Sequence, residues 1–148
     1  MSGGDVLLPD LDHPLYAPFW AAAADARLTM QRCDVCGYVR WPPEPLCPEC
    51  LTRGGTWTDL DGHGSIWSYA VYEHAFHPSL RSAVPYVCAL VELDDGPRMI
   101  SRIVGVEPSE VSIGARVSVV FESAGQPLDI PCFTPDPQIE TAGVALPD

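Results

Sequence analysis

Apolar side chains at helical spacing mark the first element that the sequence predicts. They are Leu15, Phe19, Ala22, Ala23 and Ala26, each of which lies three or four residues from another member of the set. This repeat is one face of an α-helix, and Pro14 favours a start there because proline is tolerated in the first turn. Tyr16 and Trp20 widen the apolar stripe. The stripe either packs on its own domain or forms a partner surface, where aromatic side chains are favoured anchors.

Short strands interrupted by two cysteine pairs are predicted next. In residues 28–32, Leu28 and Met30 alternate with Thr29 and Gln31, which is a strand pattern, and residues 38–41 form a short return strand. The proline-rich residues 42–45 make an extended connector to the second pair. This order of strands and cysteine turns is that of a zinc ribbon, so we assign residues 13–56 to an N-terminal helix and zinc ribbon.

From residue 57 onward the pattern predicts a mainly β domain that ends near residue 134. The predicted strands, the last of them at an edge, are residues 65–72, 85–93, 98–104, 116–121 and 130–133. A single helical turn over residues 108–111 separates the third strand from the fourth. This arrangement fits a five-stranded OB-fold barrel, although a sandwich remains an alternative that about 75 residues make less favourable. Residues 1–12 and 135–148 are predicted to be loose termini.

The strongest chemical motif is a pair of Cys-x-x-Cys turns separated by ten residues. The four positions are Cys33, Cys36, Cys47 and Cys50. Each turn brings two sulfur atoms to about 3.5–4 Å, which tetrahedral Zn²⁺ with ~2.3 Å Zn–S bonds requires. Four thiolates leave no open position, so the predicted Zn²⁺ is structural. The alternative is a disulfide framework, since six cysteines allow up to 15 pairings, but the paired spacing favours metal.

The charge of the chain argues against nucleic-acid and membrane partners. The net charge is −12, and the eight basic residues are all Arg, scattered along the 148 residues. Such a chain repels phosphate backbones and anionic lipids. The first twelve residues carry no Lys or Arg and so do not resemble a targeting segment. We therefore expect a cytoplasmic protein, where thiols stay reduced.

The sequence also resembles a known family across residues 13–134. The matching residues are His13 to Tyr16, Phe19 and Trp20, Gln31 to Cys33, Cys36 and Gly37, Pro42 and Pro43, Cys47 to Cys50, Gly62, Gly64 to Tyr69, Pro85 and Tyr86, Ala89 to Leu93, Gly96, Ile113 and Gly114, and Val117, Val120 and Phe121. The family consists of bacterial and archaeal proteins that join a rubredoxin-like zinc ribbon to an OB fold and are associated with acyl-CoA enzymes. Glu44 and His63 stand where many members have basic residues, and this loss of positive charge argues against direct contact with CoA phosphates at those positions.

The resemblance implies an accessory role rather than catalysis. Similar proteins accompany thiolase-superfamily enzymes: thiolases, acetyltransferases and lipid-transfer-protein-like retro-aldolases, including those of steroid side-chain degradation. The resemblance therefore implies that the chain forms a hetero-oligomer with a thiolase-fold protein. It also implies that a CoA thioester is the ligand of the complex. The proposed partner-binding residues are Tyr16, Phe19, Trp20 and Trp67.

No catalytic residues are predicted, because the sequence does not group a nucleophile, a base and an orienting residue. Arg98 and Arg102 share one face of a strand, which either meets a phosphate or is solvated. Trp67 and Tyr69 share the parity of a strand face, where they could stack bases in an OB fold, although the charge favours core or partner packing. Two alternative functions remain: a nucleic-acid-binding ribbon with an OB fold, and an independent acyl-CoA-processing enzyme.

Overall fold

A short helix and a three-stranded sheet form the N-terminal part of the chain. The computed structural model describes residues 8–124 and 128–137. Helix α1 spans Ala17–Ala24, and the strands are β1 (Leu28–Arg32), β2 (Val39–Arg40) and β3 (Thr56–Leu60). The helix starts later than His13 because residues 13–16 form a turn, and it ends where Ala26 takes a positive φ of 56°. The sheet order is β2-β1-β3, with every pair antiparallel.

Strand β1 lies in the middle of this sheet and is buried on both faces. Leu28, Thr29, Met30 and Gln31 are all buried, and only Arg32 is exposed. The alternation in the sequence therefore does not separate a core face from a solvent face. Helix α1 packs against β1, and the polar Gln31 is satisfied by hydrogen bonds from the Arg40 side chain and the Glu44 backbone N–H.

Five strands close into a barrel in the second part of the chain. They are β4 (His63–Tyr72), β5 (Tyr86–Leu93), β6 (Arg98–Ile103), β7 (Arg116–Ser123) and β8 (Asp129–Pro135), in the closed order β4-β5-β6-β8-β7. A 3₁₀ turn over Pro108–Glu110 lies between β6 and β7. This confirms the predicted five-stranded OB-fold barrel with a helical turn between its third and fourth strands.

Strand β8 closes the barrel, so the expectation of an edge strand is wrong. It pairs with β7 along its whole length, from Ser123↔Asp129 to Val117↔Pro135, and meets β6 at a parallel bridge between Ile103 and Phe133. Pro131 has no N–H to donate to a ladder, and proline is therefore usually found in edge strands. Its carbonyl nevertheless accepts a hydrogen bond of 2.7 Å from Ser101 Oγ, and this bond ties β8 to β6.

One hydrophobic core runs through both parts of the molecule. Phe19, Leu28 and Met30 from the N-terminal part belong to the same buried cluster as Ile66 and Phe133 of the barrel. Among the described residues, no helix is long and apolar enough to cross a membrane. Most of the two predicted loose termini, residues 1–7 and 138–148, lies outside the described residues.

Candidate metal centre and partner surface

The two cysteine turns have the same backbone geometry. In the first, the N–H of Gly37 donates to the Cys33 carbonyl at 3.0 Å. In the second, the N–H of Leu51 donates to the Cys47 carbonyl at 2.9 Å. Gly37 and Leu51 both have positive φ, 77° and 60°, which is the left-handed region that a knuckle requires after its second cysteine. Glycine adopts this region readily, whereas a leucine rarely does.

The four cysteine sulfurs converge on one point. All four Sγ atoms lie within 4.8 Å of one another, with 3.5 Å between Cys33 and Cys50 and 3.6 Å between Cys36 and Cys47. These distances fit the edges of a tetrahedron around one Zn²⁺. The described cysteines are free thiols rather than disulfides, so the predicted metal ligands are brought together and the disulfide alternative is not favoured.

Local hydrogen bonds stabilise two of these sulfurs as thiolates, the form that binds metal. The Thr52 hydroxyl lies 3.2 Å from Cys50 Sγ, and its hydrogen bond, together with the Thr52 backbone N–H, lowers the pKa of Cys50 to about 6. The backbone N–H groups of Cys36 and Val35 lower the pKa of Cys33. Against the Tyr38 backbone N–H, burial and hydrogen bonds with the other three cysteines raise the pKa of Cys36 to about 12. Thiolates at Cys33 and Cys50 would attract a divalent cation, and its binding would release the proton of Cys36.

Arg40 fixes the position of the second turn relative to the sheet, a role that the sequence did not reveal. Its buried guanidinium donates from Nε to Gln31 Oε1 at 2.9 Å, and from Nη2 to the carbonyls of Glu44 at 2.9 Å and Gly54 at 2.7 Å. These carbonyls lie before and after the second cysteine pair. One side chain therefore joins both ends of the second turn to β1 and β2.

The four residues proposed for partner binding differ in their exposure. Phe19 is only 2% exposed and packs against Trp41, with 4.3 Å between ring centroids, so it can shape a surface only through its neighbours. Tyr16 and Trp20 are half-buried, and Trp20 makes an edge contact with Phe19. Trp67 is 49% exposed, on the outside of the barrel.

The outer face of β4, β5 and β6 carries an exposed apolar patch, which we call the Ile100 face. Its members are Trp67, Ala70, Cys88, Leu90 and Ile100, and Arg102 lies at its border. Ser68 pairs with Leu90 and Leu90 with Ile100, while Ala70 pairs with Cys88 and Cys88 with Arg102. The Arg98 guanidinium stacks on Trp67 at 4.1 Å from the ring centroid, and Arg102 lies 5.3 Å from the Tyr86 centroid. The shared face expected for Arg98 and Arg102 is confirmed.

One polar cluster brings a serine, a histidine and an aspartate together. Ser118 Oγ lies 2.9 Å from His63 Nδ1 and also donates a hydrogen bond to Asp136. Asp136 bonds to the serine and makes no hydrogen bond with His63 among the described residues, so it does not orient the imidazole. The arrangement differs from a catalytic triad; it ties β4 and β7 to the segment after β8.

The remaining two cysteines lie away from the metal-ligand cluster. Cys132 is buried in β8, and burial raises its pKa to about 11. Burial also raises the pKa of Cys88. Both are therefore thiols at neutral pH and poor nucleophiles.

Comparisons with known proteins match both parts of the chain. Residues 20–54 match the family described as "ChsH2, rubredoxin-like zinc ribbon domain", and residues 57–122 match "ChsH2, C-terminal OB-fold domain". A "Probable enoyl-CoA hydratase alpha subunit" of Thermomonospora curvata is 39% identical over 118 residues, which are 79% of this chain but 36% of that subunit. The chain thus spans about a third of this relative's length.

Two further matches cover most of the compared protein. A "DUF35 domain-containing scaffold protein" of Methanothermobacter thermautotrophicus is 40% identical over 95 residues, which are 64% of this chain and 71% of the relative. A chain of the solved "Ltp2-ChsH2(DUF35) aldolase" superposes with a TM-score of 0.78 at 35% identity, covering 86% of this chain and 98% of that chain. The chain therefore belongs to the DUF35 family of proteins, in which a rubredoxin-like zinc ribbon is joined to an OB-fold domain.

Proposed function

We propose that this chain is a non-catalytic subunit that binds a thiolase-superfamily enzyme and helps to form its acyl-CoA site. The observation that carries the proposal is the structural match of this chain to 98% of a chain of the solved "Ltp2-ChsH2(DUF35) aldolase". The name of that structure gives two components, one of them a DUF35 protein, and an aldolase activity. The resemblance of the sequence to accessory proteins of thiolase-superfamily enzymes points in the same direction. The reaction would then belong to the partner, and the CoA thioester would be a ligand of the complex.

The physical role that we assign to the chain is architectural. A Zn²⁺ held by Cys33, Cys36, Cys47 and Cys50 would stabilise the ribbon, as in other small metal modules. The continuous core then holds the ribbon and the barrel as one rigid surface for the partner. Within the described residues, the one grouping of serine, histidine and aspartate has the wrong order of hydrogen bonds for nucleophilic catalysis, which supports a non-catalytic role.

A second candidate is a subunit of a hydratase rather than of a thiolase-superfamily enzyme. The specific observation that favours it is the 39% identity with a probable enoyl-CoA hydratase alpha subunit. In that case the partner would be a hydratase component, and the chain would correspond to about a third of the related subunit's length. Both candidates share a CoA thioester substrate in the complex and differ in the fold of the partner.

Co-expression distinguishes these candidates. The chain is produced with the thiolase-superfamily protein encoded nearest to its gene, and separately with the nearest hydratase-fold protein. The products are analysed by size-exclusion chromatography and by thiolase, retro-aldolase and hydratase assays. We expect co-elution with the thiolase-superfamily protein and higher activity of the pair than of that protein alone. Separate elution, with the partner fully active alone, contradicts the proposal; co-elution with the hydratase-fold protein alone supports the second candidate.

A further inference from the structure

The Ile100 face groups exposed and half-exposed apolar side chains on the surface of a chain whose net charge is −12. Ile100 lies at the centre of this face and is 71% exposed. Leu90 lies beside it on β5, and Trp67, which is half-exposed, lies on β4. A shallow depression of about 280 Å³ on these strands is lined mainly by the same apolar side chains. A contiguous exposed apolar patch of this kind typically marks an interaction site.

A free strand edge adjoins this face. Strand β4 pairs with β7 only from His63 to Ser65, whereas it pairs with β5 up to Tyr72. Within the described part of the chain, residues 68–72 have no strand neighbour on their second side. Residues 68–72 include no charged residue and no proline. Charged residues and proline usually protect a free edge from pairing with another strand. The edge therefore has the properties of one that is covered in an assembly.

The charges beside the patch indicate what the partner presents. Arg98 is paired with Glu92 at 2.9 Å and stacked on Trp67. Arg102 forms no ion pair with any described residue, and its Nε is buried without a hydrogen-bond partner there. Glu122 and Arg102 line a separate pocket next to Tyr86, but they make no ion pair with each other. Arg102 is thus an available cation at the border of an apolar patch, which a carboxylate would complement.

We propose that the Ile100 face is the surface on which the thiolase-superfamily partner docks, through an apolar segment that carries a carboxylate opposite Arg102. This inference rests on the proposed function and specifies the contact surface. Trp67, Leu90 and Ile100 supply the central apolar contact, and Arg102 supplies the orientation. Helix α1, whose Phe19 is buried, is then not the main contact.

A matched pair of isoleucines tests the apolar contact. Ile100 and Ile113 are 71% and 68% exposed, but Ile113 lies in the loop before β7, outside the Ile100 face. Ile100→Asp should raise the Kd for the co-expressed thiolase-superfamily protein about tenfold or more, whereas Ile113→Asp should change it less than about twofold. Thermal unfolding and metal content verify that both variants are folded, and Ile100→Ser replaces Ile100→Asp if the latter fails these controls.

The charge contact is tested by salt. Arg102→Gln should weaken the complex at low ionic strength and reduce the dependence of Kd on NaCl concentration, and Arg102→Lys should retain part of the affinity. Equal effects of Ile100→Asp and Ile113→Asp, or no effect of either, would overturn the assignment of the face. So would a self-association of the chain alone, seen by light scattering, that only Ile100→Asp abolishes while partner binding is unchanged. If the wild-type chain binds no thiolase-superfamily protein, the proposed function fails first, and this inference with it.

Discussion

The Cys36 and Cys47 sulfur atoms lie 3.6 Å apart, although they belong to different turns of the chain. Such a separation between reduced thiols is the geometry of shared coordination to one metal ion. We therefore expect one tightly bound Zn²⁺ per chain. Cys47→Ser should abolish stoichiometric metal and loosen the ribbon, because small metal modules derive folding free energy from the ion. Elemental analysis and amide hydrogen exchange measure the two effects.

Cys88→Ser is the matched control for this experiment. Cys88 lies on the barrel, outside the sulfur cluster, so its replacement should leave the metal content at one ion per chain. Freshly purified, reduced wild-type protein that contains no metal, with Cys33 in a disulfide, would falsify the zinc assignment.

Gly64 lies where β4 pairs with both β5 and β7. A Cβ atom added there would come within 2.4 Å of the Glu92 carbonyl oxygen and 3.0 Å of Val91 Cγ1. Backbone on the neighbouring strand cannot move aside without disrupting the ladder, so Gly64→Ala should lower the free energy of unfolding by about 2–3 kcal/mol. Chemical denaturation measures the change.

Gly96→Ala is a suitable comparison for Gly64→Ala. Its added Cβ would meet Leu60 Cδ1 at 3.0 Å, and this atom is the end of a flexible side chain that can rotate. We expect a change of less than about 1 kcal/mol. Similar losses for both variants would contradict the argument that backbone crowding at Gly64 sets the size of the effect.

Asp94 and Arg116 form an exposed ion pair that should make stability depend on pH. The hydrogen bond from Arg116 holds the pKa of Asp94 below its ordinary value of 3.8. Because the folded-state pKa is the lower one, the pair stabilises the fold above pH 3.8, and this contribution is lost as pH falls through the folded-state pKa. The free energy of unfolding of Asp94→Asn should therefore be lower than that of the wild type near neutral pH. The two values should converge in strong acid, where Asp94 is protonated in the wild type as well. A constant difference across the range is the contrary result.

Trp20 and Trp67 should respond differently to removal of the ring. Trp20 packs against the core and against Phe19, so Trp20→Ala should cost roughly 2 kcal/mol of stability, less than the ~3–5 kcal/mol of a fully buried aromatic ring. Trp67 is half-exposed and contacts Arg98, so Trp67→Ala should cost about 1 kcal/mol or less. Thermal unfolding compares them, and equal losses would contradict the placement of these rings.

The acidic surface should prevent nucleic-acid binding despite the OB fold. With a net charge of −12, the chain lacks the counterion-releasing contacts that drive binding to phosphate backbones. Fluorescence anisotropy with labelled single-stranded DNA and RNA at physiological salt should show no appreciable association. A Kd in the micromolar range or tighter, absent for an acidic control protein, would support a nucleic-acid-binding function instead.

Sequence spacing was sufficient to predict the cluster of four cysteines and the five barrel strands, because both depend on local pattern. Sequence spacing does not predict which side chains share a face where the pairing register of β4 with β5 shifts. Trp67 and Tyr69 have the same parity in the sequence, but a bulge between Ile66 and Ser68 breaks that alternation. Trp67 is therefore exposed, whereas Tyr69 is partly buried and its hydroxyl donates to the Val111 carbonyl.

Two further features depend on contacts distant in sequence. The edge position expected for β8 failed because Phe133 meets Ile103, a partner that no local pattern reveals. The sequence does not predict the Ile100 face. The alternation of Arg98, Ile100 and Arg102 indicates a strand, but it does not indicate which strands pair with it. Only the pairing of β6 with β5 places Ile100 beside Leu90.

The shared core limits how this protein can change over evolution. The two family matches meet between residues 54 and 57, but the buried cluster that contains Met30 and Ile66 does not divide there. A recombination event at that junction would place a foreign ribbon against a barrel whose side chains were selected for another shape. The ribbon and barrel are therefore expected to be inherited together, and an isolated barrel used as an engineering module would need new polar residues where the ribbon had covered it.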